Sequence, residues 1–263
     1  RAEGRSHVEK IKVVWVKLRR IGKLLRQLVT VFAKGRGEKK NATGRSRSSY
    51  RSQLLHTTER YRLAMASAGY PFELMAGPHF IHVNAAQVIK QPGEIRIGIA
   101  PFSAHATKTW PLEQFVALME HFRGRKDIHF YLFGGGKKEI QTLEKLEESG
   151  RITCIAGKYS LTEELQLMIG LQAMVCVDSS NMHLAGLAGV PIVSIWGGTD
   201  PVTGFGPAQN PRNRTIAVPF NELECRPCSV YGKETCARGD FACLHRIRPA
   251  QVAAALTEIL PPA

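Results

Sequence analysis

From Ile95 onward, short apolar runs alternate with stretches of helical apolar spacing. Ile95–Ala100 (IRIGIA), Ile128–Phe133, Ile152–Ala156, Met174–Val177, Ile192–Trp196 and Arg214–Val218 read as strands, most of them apolar enough to be buried on both faces. Between the first two, Leu112–Phe122 puts Leu112, Phe115, Val116, Met119 and Phe122 on one helical face. Lys137–Glu148 follows the second run. Ser160-Leu161-Thr162-Glu163 is a capping box opening a helix to Leu171. Asn181–Ala188 carries Met182, Leu184, Ala185, Leu187 and Ala188, and Gly189 ends it. Pro249 starts a closing helix to Leu260. Strand–helix alternation of this kind predicts an α/β domain with a doubly wound parallel sheet.

The chain before Ile95 is less regular. Leu54–Ala68 has helical spacing, with Gly69 as its stop. Asn41–Ser52 is rich in Ser, Arg and Gly and reads as a loop. Tyr70–Gly93, with Pro71, Pro78 and Pro92, reads as a linker. Two regions are therefore expected: residues 1–93, basic and partial, and residues 94–263, the main domain. No apolar run approaches the length of a membrane span, and no signal-peptide pattern is present.

Charge sharpens this division. Residues 1–62 hold 18 Lys/Arg against four acids, which is the whole of the formal +14; the other 201 residues balance at 18 against 18. The basic head suits anionic lipid headgroups, lipopolysaccharide phosphates or nucleic acid, or is simply a solvated segment. Nucleic acid is disfavoured, because only Trp15, Phe32, Tyr50 and Tyr61 interleave with the basic residues there, widely spaced.

Candidate chemistry gathers at the ends of the predicted strands. The stretch AMVCVDSSNMHLAGLAGVPIVSIWGGTDP, residues 173–201, reads as strand, polar turn, helix and strand. Its turn, Asp178-Ser179-Ser180, suits a helix cap, and the helix N-terminus would face the crevice where open α/β sheets bind ligands. Free N–H groups and the helix dipole favour an anion there, with Met182 and His183 in the first turn. The loop after the first strand, PFSAHATKTW, offers Ser103, His105 and Thr107 as hydrogen-bonding groups and Lys108 as a cation. Gly134-Gly135-Gly136 joins a strand to a helix and lets backbone approach a ligand closely; it is not G-x-G-x-x-G. Glu139 follows, where it can cap the helix.

Cys154 and Cys176 lie in apolar runs and read as buried thiols. Cys225, Cys228, Cys236 and Cys243 form C-x2-C-x7-C-x6-C. Four thiolates at such spacing suit structural zinc, and less well an iron–sulfur cluster; free thiols or a facultative disulfide are the alternatives.

D-S-S-N-M-H-L-A followed by V-P-I-V-S-I-W-G-G-T-D-P resembles the donor-binding signature of glycosyltransferase family 9, the ADP-heptose:lipopolysaccharide heptosyltransferases. The usual form is D-[ST]-G-x-x-H-L-A with a trailing G-x-T-x-P; Ser180 replaces a common Gly and tightens the space around the phosphates. Lys108 with Trp110-Pro111 resembles the family's K-x-W-P, and many members carry a cysteine-bearing loop. Residues 31–40 resemble a K-G-R-x-E-K-x turn inside the first lobe. An alternative overlay sets Ile11–Leu25 on the family's amino-terminal strand and puts Lys23 where an acidic residue is expected.

The resemblance implies the second, nucleotide-sugar-binding lobe of a two-lobed GT-B enzyme, with the first lobe truncated. It implies inverting transfer of a heptose or related sugar from ADP-heptose to a lipopolysaccharide core acceptor, with no metal required for catalysis. Lys108 and His183 would stabilise the leaving diphosphate. Ser103, Thr107, Gly134, Gly135, Glu139, Asp178, Ser179, Ser180 and Met182 would line the donor site. The general base would belong to the first lobe. A cytoplasmic enzyme follows, peripheral at the inner membrane face through its basic head. The rivals are a non-catalytic nucleotide-binding chain and a nucleotide-sugar 2-epimerase; the latter would want a carboxylate-lined pocket that the sequence does not offer.

Overall fold

The computed structural model describes residues 53–74 and 93–261. The basic segment before Gln53, its two overlays, the K-G-R-x-E-K-x turn and most of the linker lie outside the described residues. What is described falls in two compact units, residues 54–74 and 93–261.

The described part of the first unit holds one helix, α1 (Thr57–Ser67), close to the expected bounds. The His56 ring accepts from the Thr58 N–H at its start, and Gly69 follows its end at φ +88°. None of its residues is buried, so its apolar spacing does not mark a core face.

In the second unit, six strands form one sheet: β1 (Ile95–Ala100), β2 (Ile128–Leu132), β3 (Ile152–Cys154), β4 (Ala173–Val177), β5 (Ile192–Trp196) and β6 (Arg214–Ala217). Every neighbouring pair is parallel, in the order β3-β2-β1-β4-β5-β6. The chain therefore builds outward from β1 to β3, returns beside β1 as β4, and builds the other way. That reversal opens a crevice beyond the carboxyl ends of β1 and β4. Their register, Ile97 on Ala173 through Ala100 on Cys176, brings both ends to one level.

The helices are α2 (Leu112–His121), α3 (Lys137–Glu144), α4 (Leu161–Ile169), α5 (Ser180–Leu187), α6 (Ala242–His245) and α7 (Pro249–Ile259). Strand side chains alternate between two cores. Ile97, Ile99, Val175 and Val177 pack with Trp110, Phe115, Leu118, Val252 and Leu256, under α2 and α7. Ala100, Met174 and Cys176 pack with Leu165, Met168, Met182, Ala185 and Trp196, under α4 and α5. The capping box at Ser160 forms as read, with Glu163 accepting from the Ser160 N–H. Among the described residues no helix is long and apolar enough to cross a membrane.

The structure departs most from the expected elements at α3, at β3 and at α6. α3 stops at Glu144, because Glu148 turns back through Gly150 (φ +73°) to bridge Ile152. β3 ends at Cys154. The short helix α6 carries no helix signal in the sequence beyond its buried Ala242, Cys243 and Leu244.

Gly98 faces the second core, where a Cβ would lie 2.3 Å from Met174 Sδ and 2.7 Å from Leu171 Cδ1. Gly98→Ala is expected to lower unfolding free energy by about 1–3 kcal/mol, read as a lower urea midpoint. An unchanged midpoint would contradict this packing.

Candidate functional site

Two loops flank the crevice. The loop leaving β1 makes a single 3-10 turn at Ala106–Lys108, anchored by Trp110, whose indole N–H donates to Ile247 O. The turn leaving β4 begins at Asp178. Lys108 Nζ reaches Asp178 Oδ2 at 3.0 Å, and Thr199 Oγ1 donates to the same oxygen at 2.8 Å. Both ionic side chains are largely withdrawn from water, 13% and 6% exposed. Ser103 Oγ donates to the Asp178 carbonyl at 3.0 Å. The loops after β1, β4 and β5 thus meet on one aspartate.

Beside this knot stands the N-terminus of α5. Its cap residue Ser179 is extended, and its Oγ is buried without a hydrogen-bond partner. A serine at this position normally satisfies one of the helix's first N–H groups. Here the Ser179 hydroxyl is left for something else while Ser179 O takes the Met182 N–H, and the helix dipole favours an anion at this end. Ser180 is exposed and His183, on the first turn, is partly exposed. Lys108, Asp178, Ser179, Ser180, Ser103 and His183 therefore lie on the two loops and one helix end that border the crevice.

Other predicted residues are placed differently. Met182 is fully buried in the core with Ala185 and Trp196, and its N–H goes to Ser179 O, so its side chain lines no site. Thr107 is also buried; its hydroxyl donates to Lys233 O and accepts from Lys233 N, both at 2.8 Å. Its role is to dock the cysteine loop. Glu139 Oε2 accepts from Gly135 N at 2.8 Å, which holds the glycine turn in shape. Gly135 itself is exposed, whereas a Cβ on Gly134 would meet Leu143 at 2.8 Å.

The cysteine loop supplies groups that sequence reasoning missed. Tyr231 O accepts from Lys108 Nζ at 3.3 Å, and Glu234 Oε1 meets His105 Nδ1 at 2.7 Å. Arg226, only 2% exposed, donates to Gly197 O, Val218 O, Thr199 O and Asp200 Oδ2, with its guanidinium over the Phe220 ring. Burial pulls its pKa down, opposed by the Asp200 charge. Arg226 thereby fixes the start of the β5 exit loop, hence Thr199, hence Asp178. Gly197 and Gly198 allow that fit: a Cβ on Gly197 would meet Leu244 and Thr107 O at 2.6 Å. A lone Arg between two cysteines gives little sequence signal; Asp200, across the loop, is the only hint.

All four loop cysteines are free thiols, Cys225 exposed and Cys243 buried. Burial pushes Cys243 up to about 12, with the charges of Cys228, Cys225 and Cys236 adding to the rise. They share a neighbourhood, yet among the described residues no three His, Cys, Asp or Glu side chains are placed to hold a metal ion. The expected tetrahedral thiolate set at Cys225, Cys228, Cys236 and Cys243 is thus not assembled in this structure. Arg226 and the Thr107–Lys233 bonds fasten the loop.

Removing the Arg226 guanidinium would leave Asp200 and three carbonyls without their donor. Arg226→Met is expected to cost about 3–5 kcal/mol of stability, measured by urea unfolding. A loss no larger than that of an exposed arginine variant would contradict the assigned role.

The model of glycosyltransferase family 9 (heptosyltransferase) matches residues 46–236. The chain is 24% identical over 171 residues to lipooligosaccharide heptosyltransferase 2 of Campylobacter jejuni, covering 63% of this chain and 51% of that protein. It is 24% identical over 113 residues to lipopolysaccharide heptosyltransferase 3 of Escherichia coli, covering 42% and 33%. Among solved structures, E. coli heptosyltransferase WaaC with ADP superposes with a TM-score of 0.57 at 17% identity, over 80% of this chain and 58% of that one. The chain thus spans about half the length, or less, of the curated relatives it matches. Its parallel Rossmann-like sheet is the fold expected of the donor lobe, and the family match takes in the Lys108 loop and the Asp178 turn together. This chain belongs to glycosyltransferase family 9.

Proposed function

We propose that residues 93–261 form the donor-binding lobe of a glycosyltransferase that moves a heptose, or a related sugar, from ADP-heptose to a lipopolysaccharide core acceptor. The observation that carries this reading is the pairing of a sequestered cation with an unpartnered cap hydroxyl at a helix N-terminus: Lys108 on Asp178, beside Ser179 Oγ and the start of α5. A diphosphate bound there would meet charge from one side and N–H dipoles from the other. Relatives named as heptosyltransferases, one solved with ADP, support this choice of donor.

The chemistry follows from the donors available. An ammonium has three N–H groups. Tyr231 O takes one from Lys108 and Asp178 pairs with its charge, so an N–H can be turned to a phosphate oxygen. Negative charge builds on the diphosphate as the glycosidic bond breaks. Lys108, the α5 N-terminus and His183 would stabilise it in place, without reorganisation. The acceptor hydroxyl would attack the opposite face of the anomeric carbon and invert it, in a metal-independent displacement. Asp178 serves as an orienting carboxylate; the base that takes the acceptor proton is not assigned to any described residue. A cytoplasmic location, and contact of the basic 1–62 segment with anionic headgroups, belong to the same reading.

Titration calorimetry with ADP, ADP-heptose and UDP-sugars tests it. Adenine nucleotides are expected to bind selectively, and Lys108→Ala to weaken them by roughly ten- to a hundredfold, the worth of a charge-assisted hydrogen bond. His183→Ala should weaken them to a lesser degree. Binding without transfer to a core acceptor would favour the non-catalytic nucleotide-binding alternative. No binding of any nucleotide would overturn both.

A further inference from the structure

Tyr231 is the most exposed of the large hydrophobic side chains among the described residues, at 67%. It is nevertheless held in place. Ser229 Oγ accepts from the N–H groups of Tyr231 and Gly232 at 3.2 and 3.0 Å and donates to Gly232 O at 3.1 Å. Gly232 has φ +105°, and a Cβ there would meet Lys108 Cδ at 2.6 Å and His105 at 2.7 Å. The turn is therefore pressed against the Lys108 side chain, and its Tyr231 carbonyl takes the Lys108 ammonium. The Tyr231 ring meets Phe205 edge-on, centroids 5.3 Å apart at 62°. Phe205 comes from the β5 exit loop, just after Gly204 at φ +85°. Two different loops thus bring an aromatic shelf to the Lys108 side chain and leave the Tyr231 ring in solvent. An exposed aromatic contributes little to folding; a rigid one beside a binding group is a preorganised contact.

Strand order says which part of a ligand meets the shelf. The glycine turn follows β2, Lys108 follows β1, Asp178 follows β4, and Phe205 follows β5. In the sheet these loops therefore run in the order glycine turn, Lys108, Asp178, Phe205. A diphosphate over Lys108 and α5 sends one substituent toward β2 and the other toward β5. The glycine turn, with Gly135 open, admits the flat nucleoside closely. The β5 side is left for the sugar.

We infer that Tyr231, braced by Phe205, is the platform for the transferred sugar of the donor. This rests on the donor-site reading above. A sugar ring presents C–H groups on its face and hydroxyls at its rim. An aromatic face, negative at its centre, suits the C–H groups, and the tyrosine hydroxyl can meet the rim. Tyrosine also loses little side-chain entropy on engagement, more so when already fixed. The shelf would thus make this chain discriminate a nucleotide-sugar from the bare nucleotide.

The test is titration of ADP and of ADP-heptose into the wild-type protein, Tyr231→Ala and Tyr231→Phe, with thermal melts to confirm folding. Wild-type protein should bind ADP-heptose more tightly than ADP. Tyr231→Ala should leave ADP within about twofold and weaken ADP-heptose by about five- to tenfold. Tyr231→Phe should keep most of the preference. Equal weakening of both ligands would overturn the platform and leave Tyr231 as a prop for Lys108. Unchanged ADP-heptose affinity in Tyr231→Ala would also overturn it. A wild-type protein that binds neither ligand would instead overturn the donor-site reading, and the platform with it.

Discussion

One buried carboxylate ties the candidate site together. Asp178 sits where strand order reverses; one of its oxygens pairs with the Lys108 ammonium and accepts from Thr199. A carboxylate withdrawn from water is costly unless paired and hydrogen-bonded. Three loops that are distant in sequence must therefore converge on it. That requirement places the cation at the crevice and holds it beside the open end of α5. The same carboxylate keeps Lys108 from being a freely solvated point charge, so a ligand would meet it already positioned.

The cysteine loop acts on this knot from outside the sheet. Arg226 reaches inward to fasten Gly197, Thr199 and Asp200, while Tyr231 and Lys233 fasten the Lys108 loop. Its thiols are the loop's conspicuous feature in sequence. A buried guanidinium ties the loop's start to four acceptors, and Phe241, Ala242 and Cys243 carry its end into the core. Cys228 still takes part through its backbone, donating to Gly198 O.

The sheet was legible because parallel strands buried on both faces leave continuous apolar runs, and because helix signals such as the Ser160 capping box are local. Ile95–Ala100 and Ile192–Trp196 were read to the residue. The Lys108 and Asp178 loops were legible as chemistry, since small polar residues and glycines between apolar runs mark strand ends. Contacts over long separations were not. Thr107 looked like a ligand group and proved to be a docking hydroxyl, because its partner Lys233 lies 126 residues away. Met182 followed the motif by position, while its side chain followed the helix's apolar face into the core. Arg226 escaped because a buried arginine is recognised only by the carbonyls that surround it.

The central claim is that the crevice between β1 and β4 takes a nucleoside diphosphate. The most direct measurement is a crystal structure of the protein with ADP bound. The account predicts a phosphate oxygen within hydrogen-bond reach of Lys108 Nζ, Ser179 Oγ and the first amides of α5, with the adenosine lying toward Gly134–Gly136. Nucleotide bound elsewhere, with Ser179 Oγ still unpartnered, would contradict it.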